Sequence, residues 1–118
     1  MPTIHTLAHQ YKRSLFTYTG SVPEGVTLEF SGKPRISAEF FQTILNDFRG
    51  LTIPGGFNVS SLTPGGLGIW VKDHFQKLNL VGHYPRLASY IAAILVHEGY
   101  ISSSLKRNAI MLHFPNNP

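Results

Sequence analysis

The side chains that could do chemistry in this chain are six histidines, six carboxylates, and a group of hydroxyls and cations near the C-terminal end. His5 and His9 stand four residues apart, a spacing that on a helix sets both imidazoles on one face, as a metal site requires. No third ligand lies near them in sequence. His74 falls on the apolar side of a helix, His83 in a loop and His113 within an alternating strand, so packing or surface roles account for each. His97 stands at a helix C-terminus, where the dipole favours a cation. Its neighbour Glu98 points about 100° away, so the two do not form a catalytic pair on one face. The acids Glu24, Glu29, Glu39, Asp47, Asp73 and Glu98 are scattered singly, without the clustering that a Mg²⁺-dependent nuclease needs. No serine sits in a nucleophile-elbow motif. With no cysteine, the chain has no disulfide, thiolate zinc site, iron–sulfur cluster or cysteine nucleophile. The expectation leans to a non-catalytic protein without a metal or cofactor, with an enzyme whose site is assembled from distant residues as the third reading.

Two glycine-rich turns could hold a phosphate by backbone amides. Pro64-Gly65-Gly66 opens a helix, and a helix N-terminus carries partial positive charge. It lacks the Lys-Ser/Thr ending of a nucleotide-binding loop, and an unliganded tight turn is the simpler reading. The same tripeptide occurs at Pro54-Gly55-Gly56 with no clear helix after it. Ten Lys and Arg against six Asp and Glu give a net charge of +4, a modest field that favours polyanions.

These groups must be positioned by a chain of 118 residues that is 42% apolar and only 14% charged. A single domain over 1–118 follows, burying roughly 65% of its unfolded surface. No apolar run reaches the roughly 20 residues of a membrane span, and the first residues lack a signal-peptide pattern. The expectation is a soluble intracellular protein, in the cytoplasm, nucleoid or nucleus, with no membrane contact.

Residues 1–36 read as β-rich. Val26-Thr27-Leu28-Glu29-Phe30 alternates with period two, Ser14–Thr19 is its candidate partner, and residues 20–25 carry turn chemistry. Residues 1–12 fit no pattern. Ser37 caps a helix expected over 38–49, with Phe40, Phe41, Ile44, Leu45 and Phe48 within an arc of about 140°. Residues 51–63 read as a glycine-rich loop. A second helix is expected over 63–78, with Leu67, Trp70, Val71, Phe75 and Leu78 on its buried face and Lys72, Asp73, Gln76 and Lys77 towards water. A third helix is expected from Pro85 to just before Gly99. Strands over 100–104 and 109–114 follow, joined by Leu105-Lys106-Arg107-Asn108, and residues 115–118 form a frayed tail.

The segment from Pro85 to Phe114 contains Ser89-x-x-x-Ala93-x-Leu95-x-x-x-Gly99-Tyr100-Ile101, a helix with a buried leucine that ends at glycine and turns into a strand. It resembles the recognition helix and wing of the winged helix-turn-helix family. The resemblance covers residues 85–114, about a third of the chain. Together with the N-terminal β-hairpin read in the β-rich residues 1–36, it implies an α+β fold in which a three-helix winged-helix-like unit with a C-terminal β-ribbon follows over 37–114. That family places a short strand between its first two helices, where this chain has the glycine-rich loop, and the N-terminal hairpin is an addition.

On a helical wheel Arg86, Ser89, Tyr90, Ala93 and His97 fall within about 60° of one direction, with apolar residues around the rest. Such a stripe suits a major groove: arginine reaches guanine acceptors, serine and tyrosine bond bases or phosphates, and alanine admits the backbone. It also suits a core helix with one solvated strip. The ribbon tip, with Ser104, Lys106, Arg107 and Asn108, offers donors for phosphates, and Lys72 and Lys77 would flank the site. The expected partner is nucleic acid, most simply duplex DNA. The rival expectation is a protein-interaction or homodimerisation module with Trp70, Tyr84 and Tyr90 as anchors.

Overall fold

A computed structural model describes residues 3–5, 15–29, 35–55, 64–74, 84–106 and 109–116. Strands β1 (Thr3–His5), β2 (Leu15–Ser21), β3 (Gly25–Leu28) and β4 (Arg35–Ile36) form an antiparallel sheet in sequence order. After them come α1 (Ala38–Asp47), β5 (Thr52–Pro54), α2 (Leu67–His74), α3 (Tyr84–His97), β6 (Ser102–Lys106) and β7 (Ala109–His113). The last three strands make a second antiparallel sheet in the order β5-β7-β6. The fold is mixed α+β, with three helices and two antiparallel sheets among the described residues.

The expected N-terminal hairpin is present as β2 and β3, paired from Tyr18↔Leu28 to Ser21↔Gly25. Its turn is Val22-Pro23-Glu24, closed by the Glu24 N–H donating to the Ser21 carbonyl at 3.1 Å. Gly20 has φ +93° and faces the Gly25 carbonyl so closely that a Cβ there would overlap it. Only glycine fits that position. Alternation sends Phe16, Tyr18, Val26, Leu28 and Ile36 into the core and leaves Thr17, Thr19 and Thr27 half-exposed.

Helix α1 begins as expected: the Ser37 hydroxyl accepts from the Phe40 N–H at 3.2 Å, satisfying an amide that has no helical partner. Phe40, Phe41, Ile44, Leu45 and Phe48 are all buried. The following segment corrects an expectation, because residues 52–54 are strand β5 rather than loop. Three residues ending in proline carry no readable period; β5 exists because β7 pairs with it, Thr52↔His113 to Pro54↔Met111. Gly55 continues the link, its N–H donating to the Ile110 carbonyl at 2.8 Å and its carbonyl accepting from the Gly68 N–H at 2.9 Å.

Helix α2 starts at Leu67, four residues after the expected Thr63, because Pro64-Gly65-Gly66 is a turn with Gly65 at φ +78°. Leu67 and Val71 are buried as expected; Phe75 to Leu78 lie outside the described residues. Helix α3 ends in the expected glycine stop. Gly99 at φ +85° donates to the Val96 carbonyl at 3.1 Å and Tyr100 to the Leu95 carbonyl at 2.9 Å, a Schellman closure.

The first ribbon strand is shifted by two residues from the expected 100–104, since Leu105 and Lys106 belong to β6 and pair with Ile110 and Ala109 while Tyr100 and Ile101 precede it, and β7 ends at His113, one residue short of the expected 114. The start of the tail is tied down, with the Gly50 N–H donating to the Pro115 carbonyl at 3.2 Å. Both sheets and all three helices contribute to one apolar core. No helix among the described residues is long and apolar enough to cross a membrane.

Candidate nucleic-acid interface

Helix α3 carries the narrow stripe Arg86, Ser89, Tyr90, Ala93 and His97, and its surroundings close the middle of it. Ala93 is only 3% exposed, and the run Ile91–Leu95 is buried throughout. Five consecutive helical positions sweep more than a full turn, so this part of the helix is enclosed on every side. Helix α2 packs along it and β1 reaches it. Tyr90 is half-buried, its ring edge-on to Phe16 of β2 with centroids 4.8 Å apart. Ser89 is also half-buried, whereas His97 is exposed at the far end. Arg86 lies in the first turn of α3, and its side chain is outside the described residues. A helical wheel orders residues by direction, but it does not show that the N-terminal sheet occupies that direction.

Glu98, just past α3, anchors this covering sheet. Its two carboxylate oxygens accept from the Tyr18 hydroxyl at 2.7 Å and the Val22 N–H at 2.9 Å. Tyr18 is 1% exposed. Burial, and then the hydrogen bond and charge of Glu98, keep its phenol protonated well above the usual tyrosine range. Glu98 is thus committed to holding the hairpin on the helix end. Nothing in the sequence ties Glu98 to a tyrosine eighty positions away.

The second sheet is different. On its outer face the His113 ring bridges both flanking strands, Nε2 standing 2.8 Å from Ser104 Oγ on β6 and Nδ1 3.2 Å from Thr52 Oγ1 on β5. Ser104 and Thr52 are exposed and His113 is half-buried. Ser104 was a candidate from the sequence; Thr52 and His113 were not. The readable signal was strand alternation, which puts His113 on the face opposite the buried Leu112 and Phe114.

Lys106 is the last residue of β6, and its pairing with Ala109 leaves Arg107 and Asn108 to connect the ribbon. Arg107 and Asn108 lie outside the described residues, as does Lys77, while Lys72 is in α2 with its side chain undescribed. Ser104 and Lys106 therefore share one strand, whereas Lys72 stands on α2.

Of the aromatic anchors, Trp70 is half-buried and already engaged. Its indole N–H donates to Asp47 Oδ2 at 3.0 Å, and its ring stacks on His74 with centroids 3.9 Å apart. Phe40 and Phe48 flank it. The side chain of Tyr84 is outside the described residues. His5 stands exposed in a strand, not a helix, so the four-residue spacing to His9 does not set them on one helical face; His9 is not described. Among the described residues no three His, Asp or Glu side chains are grouped to hold a metal.

Compared with models of known families, with characterised proteins and with solved structures, the chain matches none.

Proposed function

We propose that this chain is a winged-helix-like domain that binds nucleic acid, most simply duplex DNA, without catalysis. The observation that carries the reading is the run α1-β5-α2-α3-β6-β7 with its sheet in the order β5-β7-β6. A short strand between the first two helices is where the resembled family places one, and β5 supports the reading by standing there. The ribbon ends in Ser104, Lys106, Arg107 and Asn108, donors suited to phosphate oxygens. The net charge of +4 adds a long-range attraction to a polyanion.

Because sheet β1–β4 covers the middle of α3, the ribbon leads the contact in this reading. Arg86 and Ser89, in the first two turns of α3, flank it. Tyr90 and Ala93 serve the core. Lys72 and Lys77 contribute charge, and His97 stands at the opposite helix end.

Fluorescence anisotropy of a labelled duplex tests this, with a single strand and a structured RNA alongside. Replacing Lys106 and Arg107 together by Ala removes two phosphate contacts, so duplex affinity falls by about tenfold or more at low salt. Unchanged affinity in that variant and in Arg86→Ala contradicts the reading.

One observation favours a second reading, a protein-interaction or dimerisation module: the burial of Ile91–Leu95 narrows the helix surface that a groove would meet. Under it, the chain sediments as a dimer or captures a partner, and the duplex leaves its anisotropy unchanged.

A further inference from the structure

The outer face of the second sheet holds a relay of three polar side chains. Its strands are already paired by their backbones, and the core lies on the other side with Leu112, Ile53 and Phe114. On that face the imidazole of His113 joins the hydroxyls of Ser104 and Thr52. We propose that these three side chains form a phosphate-contact site for the phosphodiester backbone, strengthened when His113 is protonated. The proposal rests on the nucleic-acid reading above and names a contact beyond the ribbon tip.

The chemistry follows from counting hydrogens. A neutral imidazole has one N–H, so it donates to one hydroxyl and accepts from the other. One of the two hydroxyl hydrogens is then spent on the ring. An imidazolium donates at both nitrogens, and both hydroxyl oxygens become acceptors from it. The hydrogens of Ser104 and Thr52 are then both free to point away from the ring, towards a phosphate oxygen. Protonation thus adds a positive charge and one outward donor at the same place, and hydrogen bonds involving an ion are the stronger kind.

The surroundings keep the response simple. Strand β5 has no titratable side chain, β6 has Lys106 alone and β7 has His113 alone. Arg49, in the turn before β5, donates to Asn46 Oδ1 at 3.0 Å. No carboxylate stands on these three strands to neutralise an imidazolium or repel a phosphate. Lys106 lies two residues beyond Ser104 along β6, so the relay continues the ribbon tip along one strand. Among the described residues of sheet β1–β4, Thr3 pairs with Thr17, Thr19 donates to Glu29 and Arg35 donates to Thr27.

The test is duplex anisotropy at about pH 8 and about pH 5.5. Wild type is compared with His113→Gln and Ser104→Ala, each first checked for unchanged circular dichroism. The wild-type protein is expected to bind about fivefold tighter at the lower pH, a gain of the size of one charge-assisted hydrogen bond. His113→Gln is expected to keep less than about half of that gain on a logarithmic scale, the remainder coming from histidines common to both proteins. Ser104→Ala is expected to weaken binding more at the lower pH than at the higher. Equal pH responses in wild type and His113→Gln overturn the phosphate site while leaving the nucleic-acid reading standing. Absence of duplex binding at both pH values overturns the two together.

Discussion

The two sheets of this molecule use serine, threonine and charged side chains in opposite ways. In the first, polar groups fasten the sheet to the rest of the fold, as Glu98 takes Tyr18 and Val22. In the second, the fastening is done by backbone pairing and by Gly55, while Thr52, His113 and Ser104 lie on the outer face. A polar group that closes a buried contact is structural, and its removal shows in stability. A polar group on an open face can be lost with little effect on folding, so its effect must be sought in binding. Substitutions in the two sheets therefore separate the roles.

The largest effect is expected from Leu28→Ala, at a fully buried position of the first sheet. It should lower unfolding free energy by about 3 kcal/mol, read from urea denaturation midpoints. A loss under about 1 kcal/mol would mean that the hairpin is peripheral to the core. Next comes Glu98→Ala, which strands the buried Tyr18 hydroxyl and the Val22 amide, for an expected loss of about 2 kcal/mol.

Tyr18→Phe should destabilise by about 1 kcal/mol near neutral pH, with a characteristic alkaline dependence. Because the folded state raises the Tyr18 pKa, the stability it contributes is fully present below the unfolded value of about 10. It is lost as pH rises beyond that, while the folded phenol stays protonated. The difference between wild type and Tyr18→Phe therefore narrows above about pH 10, and a difference independent of pH would contradict the buried Tyr18–Glu98 bond. The smallest effect is Ser104→Ala, expected within about 0.5 kcal/mol of wild type in stability. A larger loss would place the outer face of the second sheet among the structural contacts, erasing the contrast.

Local signals in the sequence account for much of the fold. The Ser37 cap, the apolar stripe of α1, the period-two strand at Val26–Leu28 and the Gly99 stop all depend on neighbours along the chain, and all appear where they were expected. What depended on distant partners was not legible. Strand β5 is defined by β7, and the cover on α3 by strands β1 and β2, more than sixty residues earlier in the chain. The candidate site divides along the same line. Ser104 and Lys106 could be read from a turn rich in hydroxyls and cations, whereas Thr52 and His113 become neighbours only through the pairing of two strands sixty-one residues apart. The stripe on α3 shows the converse: the angular order of its residues is as expected, and the first sheet covers its middle.

The most direct test of nucleic-acid binding led by the ribbon is duplex anisotropy across a salt series, for wild type and for Lys106→Ala/Arg107→Ala. The account predicts that log affinity falls linearly with log salt, and that the variant reduces the slope by about 2, one for each phosphate contact removed. No binding by the wild-type protein at low salt, or a slope identical in the variant, would contradict it.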